Sequence, residues 1–268
     1  MTYPYQSDIQ INQVTLNVEN LKEMTSFYSD IFGFSILSAT DTTMDLTTNG
    51  KDSILQLVEV KKGDHFSYGL YHTAFLVPDK DSFAQVLYHL VYQHAELIGG
   101  ADHGYSQAIY LNDPEGNGIE IYHDKDMSVW DIREDGRIIG VTEELDAQSL
   151  IDSVSSIEEP YQLPKGTRIG HVHFSVRDAI ASSQLYQKIF PITNKMTVPT
   201  ASWVASGEYH HHFAFNHWAG KGLNKHNEGM PGLALVSLEY KDAVIFKASE
   251  KKLDFMDLTF LKLETIIL

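Results

Sequence analysis

The chain repeats itself, and that constrains its fold more than any other feature. Gln13-Val-Thr-Leu-Asn-Val18 aligns without a gap on His171-Val-His-Phe-Ser-Val176, and the same register carries Phe27-Tyr28 onto Leu185-Tyr186 and Phe32 onto Phe190. A gap-free match of that length indicates duplication of one structural unit. In both copies apolar residues alternate, at 14, 16 and 18 and at 172, 174 and 176, the period-two pattern of a strand with one apolar face. The opposite face carries Gln-Thr-Asn in one copy and His-His-Ser in the other, so it looks into something wet.

Helical spacing follows each strand, over 20–32 and 178–190, with Leu21, Met24, Phe27/Tyr28 and Ile31 on one side of the first. Three short β-rich segments with turns come next, so the unit reads strand-helix-strand-strand-strand. A further unit begins at 69–77, runs through a helix near 80–94 marked by Phe83, Val86, Leu87 and Leu90, and ends in strands around 107–111 and 118–122. The fourth starts near 232–238. Residues 1–123 thus hold the first two units and 167–268 the second two, the last one shortened. Between them 124–166, rich in Asp, Glu, Ser and Gly, reads as a connector with one short helix over 145–154.

Composition narrows the function classes. The 268 residues are 43% hydrophobic and 11% aromatic, enough apolar surface to offset the entropy of ordering. A net charge of −16 argues against nucleic acid or an anionic membrane as partner, because either needs a basic footprint. With no cysteine, thiolate sites are excluded and any metal must sit on His, Asp or Glu. The N-terminal segment lacks a basic and an apolar signal region, and no apolar run reaches the ~18 residues that span a bilayer, so a cytoplasmic location is expected.

Two polar residues interrupt otherwise apolar strands: His72 in Tyr71-His-Thr-Ala-Phe-Leu-Val77, and Glu120 in Asp113-Pro-Glu-Gly-Asn-Gly-Ile-Glu-Ile-Tyr122. A His at the head of one strand and a Glu near the end of another are two thirds of a divalent-metal site. His171 at the head of the third unit is the expected third part, with His173 on the same face as its rival. Left unpaired, a Glu between Ile119 and Ile121 would face a costly burial.

These units and motifs resemble the vicinal oxygen chelate superfamily, which includes glyoxalase I, fosfomycin-resistance proteins and extradiol dioxygenases. The likeness covers nearly the whole chain. It is strongest to two-domain bacterial catechol 2,3-dioxygenases, in His103-Gly-Tyr-Ser-Gln-Ala-Ile-Tyr-Leu-Asn-Asp-Pro-Glu-Gly-Asn-Gly-Ile-Glu-Ile-Tyr122 and in Gly207-Glu-Tyr-His-His-His-Phe-Ala-Phe-Asn216. The resemblance implies an α+β fold of four βαβββ modules forming two cupped mixed-sheet barrels, with a metal held in a cup by first and last strands. If consecutive modules pair, the N-terminal cup offers Gln13, Gln56, His72 and Glu120, the C-terminal cup offers His171 and His211, and neither holds two His and a carboxylate. If the second module pairs with the third, His72, Glu120 and His171 converge, and the first and fourth modules form an empty cup lined by Gln13 and apolar residues. Homodimeric members are similar in exchanging modules between chains, and we take the cross-pairing as the expectation.

The same resemblance implies that His211, on the third module's last strand, is an acid/base group, that Tyr110 is a substrate-side tyrosine and that His103 is a loop histidine beside it. His210 and His212 are expected on the opposite face of a regular strand, or the triple as a surface cluster. Trp203, Trp218, Phe215 and Tyr209 are either pocket wall or core. The implied activity is that of a non-haem Fe(II) extradiol dioxygenase opening catechol or a substituted catechol with O2, Mn(II) being equally compatible with such ligands. The alternatives are a glyoxalase-type isomerase or metal-dependent thiol transferase, whose sites commonly carry a second Glu, and a non-catalytic protein that binds an aromatic or a drug. The C-terminus departs from the family pattern, since no DPxG turn closes the fourth module and Glu264 does not sit where a ligand should. An exposed sheet edge on such modules invites a homo-oligomeric partner.

Overall fold

A computed structural model describes residues 5–63 and 65–256 of the chain. The closing segment with Glu264 lies outside the described residues. The first module is β1 (Ile9–Val18), α1 (Leu21–Ser26) running into a π-helical turn (Phe27–Ile31), β2 (Ser35–Ala39), β3 (Thr43–Thr47) and β4 (Leu55–Glu59). The second is β5 (Gly69–Leu76), α2 (Lys80–Tyr92), β6 (Leu97–Asp102), β7 (Ser106–Asn112) and β8 (Gly118–Asp124). The connector carries three two-residue strands, β9 (Asp131–Ile132), β10 (Ile138–Ile139) and β11 (Glu143–Glu144), and the helix α3 (Ala147–Ser153). The third module is β12 (Arg168–Ser175), α4 (Ala179–Ile189), β13 (Thr193–Val198), β14 (Ala201–Ala205) and β15 (Phe213–Asn216). A last strand, β16 (Gly232–Tyr240), and helix α5 (Ala243–Phe255) open the fourth. No helix among the described residues is long and apolar enough to cross a membrane.

Local chemistry sets the helices. Asp79 and Asp178 stand just before α2 and α4, and their carboxylates accept the free N–H groups of Ser82 and of Ile180 and Ala181. Helix α2 then buries Phe83, Val86, Leu87 and Leu90 on the stripe its spacing predicts. The first helix is shorter than its spacing predicts, because the chain widens into the π turn where Tyr28 is buried and its hydroxyl donates to Asp113.

Two mixed sheets result. One has the order β16-β1-β4-β3-β2, and the other has the order β11-β6-β7-β8-β5-β12-β15-β14-β13. In the larger sheet β5 runs antiparallel to β12, so the second and third modules share one surface. In the smaller, β1 runs antiparallel to β16. Sheet partners therefore lie on opposite sides of the connector. The smaller sheet, expected to be lined by Gln13 and apolar residues, has a more polar face than that. Gln13 donates to Ser53, Thr15 to Gln56, and Gln56 to Asp45, a ladder of cross-strand hydrogen bonds.

The DPxG turn does more than reverse the chain. Gly116 sits at φ +84°, a conformation that only glycine adopts without strain. Asp113 accepts from Tyr28, and the Glu115 carboxylate accepts from the backbone N–H groups of Glu19 and Asn20 at 2.8–2.9 Å, at the start of α1. The turn that feeds the Glu120 strand is thus bolted to the first module.

Gly170 is demanded by a close approach. A Cβ there would overlap the Tyr122 hydroxyl, which shares a 2.6 Å hydrogen bond with the Tyr209 hydroxyl. We expect Gly170→Ala to destabilise the protein by roughly 1–3 kcal/mol through overpacking, and a Tyr122→Phe background to recover part of that loss. Urea-denaturation midpoints of the two single variants and the double variant measure both.

Candidate metal centre

Strand register builds the site as two rows across one sheet. In the first row Tyr110 of β7 stands opposite Glu120 of β8, Glu120 opposite Ala74 of β5, and Ala74 opposite His171 of β12. In the second, His72 of β5 stands opposite His173 of β12, and His173 opposite Ala214 of β15. Directly opposed residues project from the same face. Ala74, the small member of the first row, lets the longer side chains on either side of it meet above the sheet.

They do meet. His72 Nε2 lies 3.0 Å from Glu120 Oε2, His171 Nε2 lies 3.2 Å from the same oxygen, and the two imidazole nitrogens are 3.2 Å apart. Each residue is at most 6% exposed. Two imidazoles and a carboxylate cannot satisfy such a triangle among themselves, since each neutral ring has one N–H to give. Ligands about 2.1 Å from one ion and about 90° apart stand about 3 Å from one another, so the triangle fits a divalent cation and leaves further coordination positions open. His171 Nδ1 is buried with no hydrogen-bond partner among the described residues. That nitrogen must hold the ring proton when Nε2 binds a metal.

Charge states suit the same role. Burial opposes ionising Glu120, but the neighbouring His171 and His72 outweigh it and hold the carboxyl well below its ordinary value. Burial pushes His171 down to about 4, leaving it neutral near pH 7. His173 is pushed well down by burial and then by His72 and His171, and its Nε2 accepts from the Asn216 amide at 3.1 Å.

The other expected residues surround this triangle. His103 Nδ1 donates to the Val141 carbonyl at 2.8 Å, which leaves its Nε2 to accept from the Tyr110 hydroxyl at 2.6 Å. Burial and then Glu120 raise the Tyr110 phenol well above its ordinary value, so it stays protonated. The His211 ring centre is 4.0 Å from that of His171, and burial and then His171 push its basicity well down.

Two expectations are corrected and one alternative is removed. The strand at the end of the third module starts at Phe213, so His211 sits in the turn before it. His210, His211 and His212 are all buried, at 1%, 5% and 1% exposure, and form no surface cluster. Because the backbone there is not a regular strand, His210 reaches back to His211, their Nδ1 atoms 2.7 Å apart.

A cavity of about 730 Å³ opens over the triangle. Tyr71, Tyr110, Met196, Trp203 and Trp218 wall it, whereas Phe215 and Tyr209 belong to the buried core. Sequence reasoning missed Tyr71 and Met196, and missed that the connector lines the cavity through Gly140, Val141 and Thr142. The available signal was His103, a polar residue on a loop that needed an acceptor for its second nitrogen.

Comparison with known proteins places the chain among relatives. The Glyoxalase/Bleomycin resistance protein/Dioxygenase superfamily matches residues 10–121. The chain is 35% identical over 220 residues to the catechol-2,3-dioxygenase of Bacillus subtilis (strain 168), covering 80% of this chain and 76% of that protein. It is 25% identical over 114 residues to the metallothiol transferase FosB of Lysinibacillus sphaericus (strain C3-41), which covers 42% of this chain and 80% of that one. A solved Bacillus subtilis protein provisionally assigned as a dioxygenase superposes with a TM-score of 0.58 at 13% identity, over 94% of this chain and 76% of its own.

Buried neutral imidazoles give acid sensitivity a definite sign. His171 titrates near 6.5 when unfolded and near 4 when folded, so its contribution is complete above about 6.5 and is lost as pH falls towards 4. Asp113, raised to about 6 by burial, works the other way, so the test is a comparison of variants. Between pH 7 and 4.5 the metal-free parent should lose ~1–3 kcal/mol more than His171→Gln, read from urea midpoints at both pH values.

Proposed function

Because the chain belongs to the glyoxalase/bleomycin resistance protein/dioxygenase superfamily, we propose that it is a metal-dependent extradiol dioxygenase that opens catechol or a substituted catechol with O2. The observation that carries this reading is the convergence of His72, Glu120 and His171 beside His211 and the Tyr110–His103 pair, in one cavity large enough for an aromatic diol. The similarity to a catechol-2,3-dioxygenase over three quarters or more of both chains supports it.

His72, His171 and Glu120 would hold Fe(II), with Mn(II) also compatible, and such an ion would supply open coordination positions and Lewis acidity for a diol. The protein's own groups do the rest. His211, kept neutral by burial, is a proton acceptor beside the bound diol. Tyr110 donates its hydroxyl hydrogen bond to His103 and keeps its oxygen lone pairs for a diol hydroxyl, in a position fixed through His103 by the Val141 carbonyl. Trp203, Trp218 and Tyr71 offer flat apolar walls that orient a ring and exclude water.

The isomerase and thiol-transferase alternatives draw less support. Glu120 is the one carboxylate lining the cavity among the described residues; Ala214 stands in the row where a second would be useful, and Gln56 is in the other sheet. No Lys or Arg lines the cavity among those residues either, which favours diols without a carboxylate substituent.

Reconstitution with Fe(II) under anaerobic conditions, followed by catechol and air, should give the yellow ring-opened semialdehyde. His72→Ala and His171→Ala should give none; colour that survives His171→Ala would sink the cross-module site, and no colour from any catechol would remove the dioxygenase reading. Tyr110→Phe should lower kcat by roughly a hundredfold with less effect on KM. In the parent, a carboxylated catechol should show a kcat/KM at least about tenfold below an uncharged one of similar size.

A further inference from the structure

Behind the cup a second polar chain leads away from His211 and plays no part in holding the metal. Asp124, the last residue of β8, lies with Oδ1 2.8 Å from His210 Nε2, and His210 Nδ1 lies 2.7 Å from His211 Nδ1. The His210 ring is clamped between Tyr105, stacked with ring centres 4.2 Å apart, and Tyr209 at 4.1 Å, with Trp130 at 5.2 Å. The His210 side chain is 1% exposed while that of Asp124 is 16% exposed, so the anionic end of the chain touches water and the middle does not.

The hydrogen-bond inventory leaves one arrangement with every ring neutral. A carboxylate only accepts, so His210 donates to Asp124 from Nε2. A neutral imidazole has a single N–H, so His210 Nδ1 is then an acceptor. The 2.7 Å contact therefore requires His211 to donate from its own Nδ1. His211 lines the cavity, and its remaining nitrogen, Nε2, is left with a bare lone pair.

We infer that Asp124 and His210 are a positioning pair that fixes His211 in its Nδ1–H tautomer and so presents Nε2 as a ready proton acceptor to the bound diol. The inference rests on the reading above that His211 moves the diol proton. In that step the diol O–H bond breaks and a His211 Nε2–H bond forms. The positive charge left on His211 faces the carboxylate of Asp124 through His210. Orientation of a base by a hydrogen-bonded third group is the logic of other acid/base sites, extended here by one imidazole.

The test reads the tautomer directly. Long-range proton–nitrogen correlation spectra of the metal-free and Zn(II)-loaded protein should show His211 protonated at Nδ1 and His210 at Nε2. Asp124→Asn and His210→Phe, the second keeping a ring between Tyr105 and Tyr209, should turn His211 into a mixture of tautomers. Reconstituted with Fe(II), both should lose roughly 100- to 1,000-fold in kcat for catechol while KM moves less than about threefold. Near-UV circular dichroism confirms that the aromatic cluster survives.

A parent His211 protonated at Nε2, or an Asp124→Asn protein with unchanged spectrum and kcat, overturns the inference. If the tautomers behave as stated and the parent opens no catechol, the positioning pair stands and the dioxygenase reading falls.

Discussion

The antiparallel ladder between β5 and β12 is the constraint on which the site depends. It sets His72 opposite His173 and Ala74 opposite His171, and the parallel ladder from β5 to β8 then sets Glu120 beside Ala74. Because side chains alternate along a strand, a slip of one residue would turn either His72 or His171 out of the cup. The apolar faces of the same strands prevent it: Thr73 aside, Phe75, Val172 and Phe174 are held in the core by burial, and moving them into the cavity would expose them. The His72–Glu120–His171 triangle thus inherits its precision from hydrophobic packing on the far side of the sheet.

Burying the polar groups in and behind the cup is tolerated because most of them are paired. His103 ends on a backbone carbonyl, His173 on Asn216, His210 on Asp124, and Tyr122 on Tyr209. The unpaired atom that lies in the cup is informative. His171 Nδ1 has no partner among the described residues, and His171 is the ligand candidate contributed by the third module. The first module contributes support from a distance: Tyr28 and the start of α1 grip the turn through Asp113 and Glu115, and that turn aims the strand carrying Glu120.

Much of the fold was legible in the sequence, because the alternation at 14, 16 and 18 and at 172, 174 and 176 reports strand faces whatever the partner strand is. The pairing of second with third modules was legible for a chemical reason, since no other pairing gathers two His and a carboxylate. What stayed hidden depends on side chains finding each other across the fold. The polar lining of the smaller sheet, where Gln56 turns to Asp45 and Thr15, could not be told from an idle face. The link from His211 to Asp124 joins residues that only irregular backbone before β15 brings together, and a regular-strand reading pointed His210 away. The connector's place over the cavity rests on backbone pairing, the Val141 carbonyl and N–H with His103 and β11 with β6, of which only His103 gave a side-chain signal.

The nested order of the modules bears on how the protein is made. The larger sheet joins segments that follow one another in the chain, so its loop closures are comparatively short once β15 has left the ribosome. The smaller sheet pairs Ile9 with Tyr240, nearly the full length of the chain apart. Loop-closure entropy makes such a ladder late to form. The cup with its three ligand candidates can therefore assemble first, with β1 waiting as an unpaired edge until β16 is synthesised, and that waiting edge is the segment most exposed to pairing with a neighbouring nascent chain.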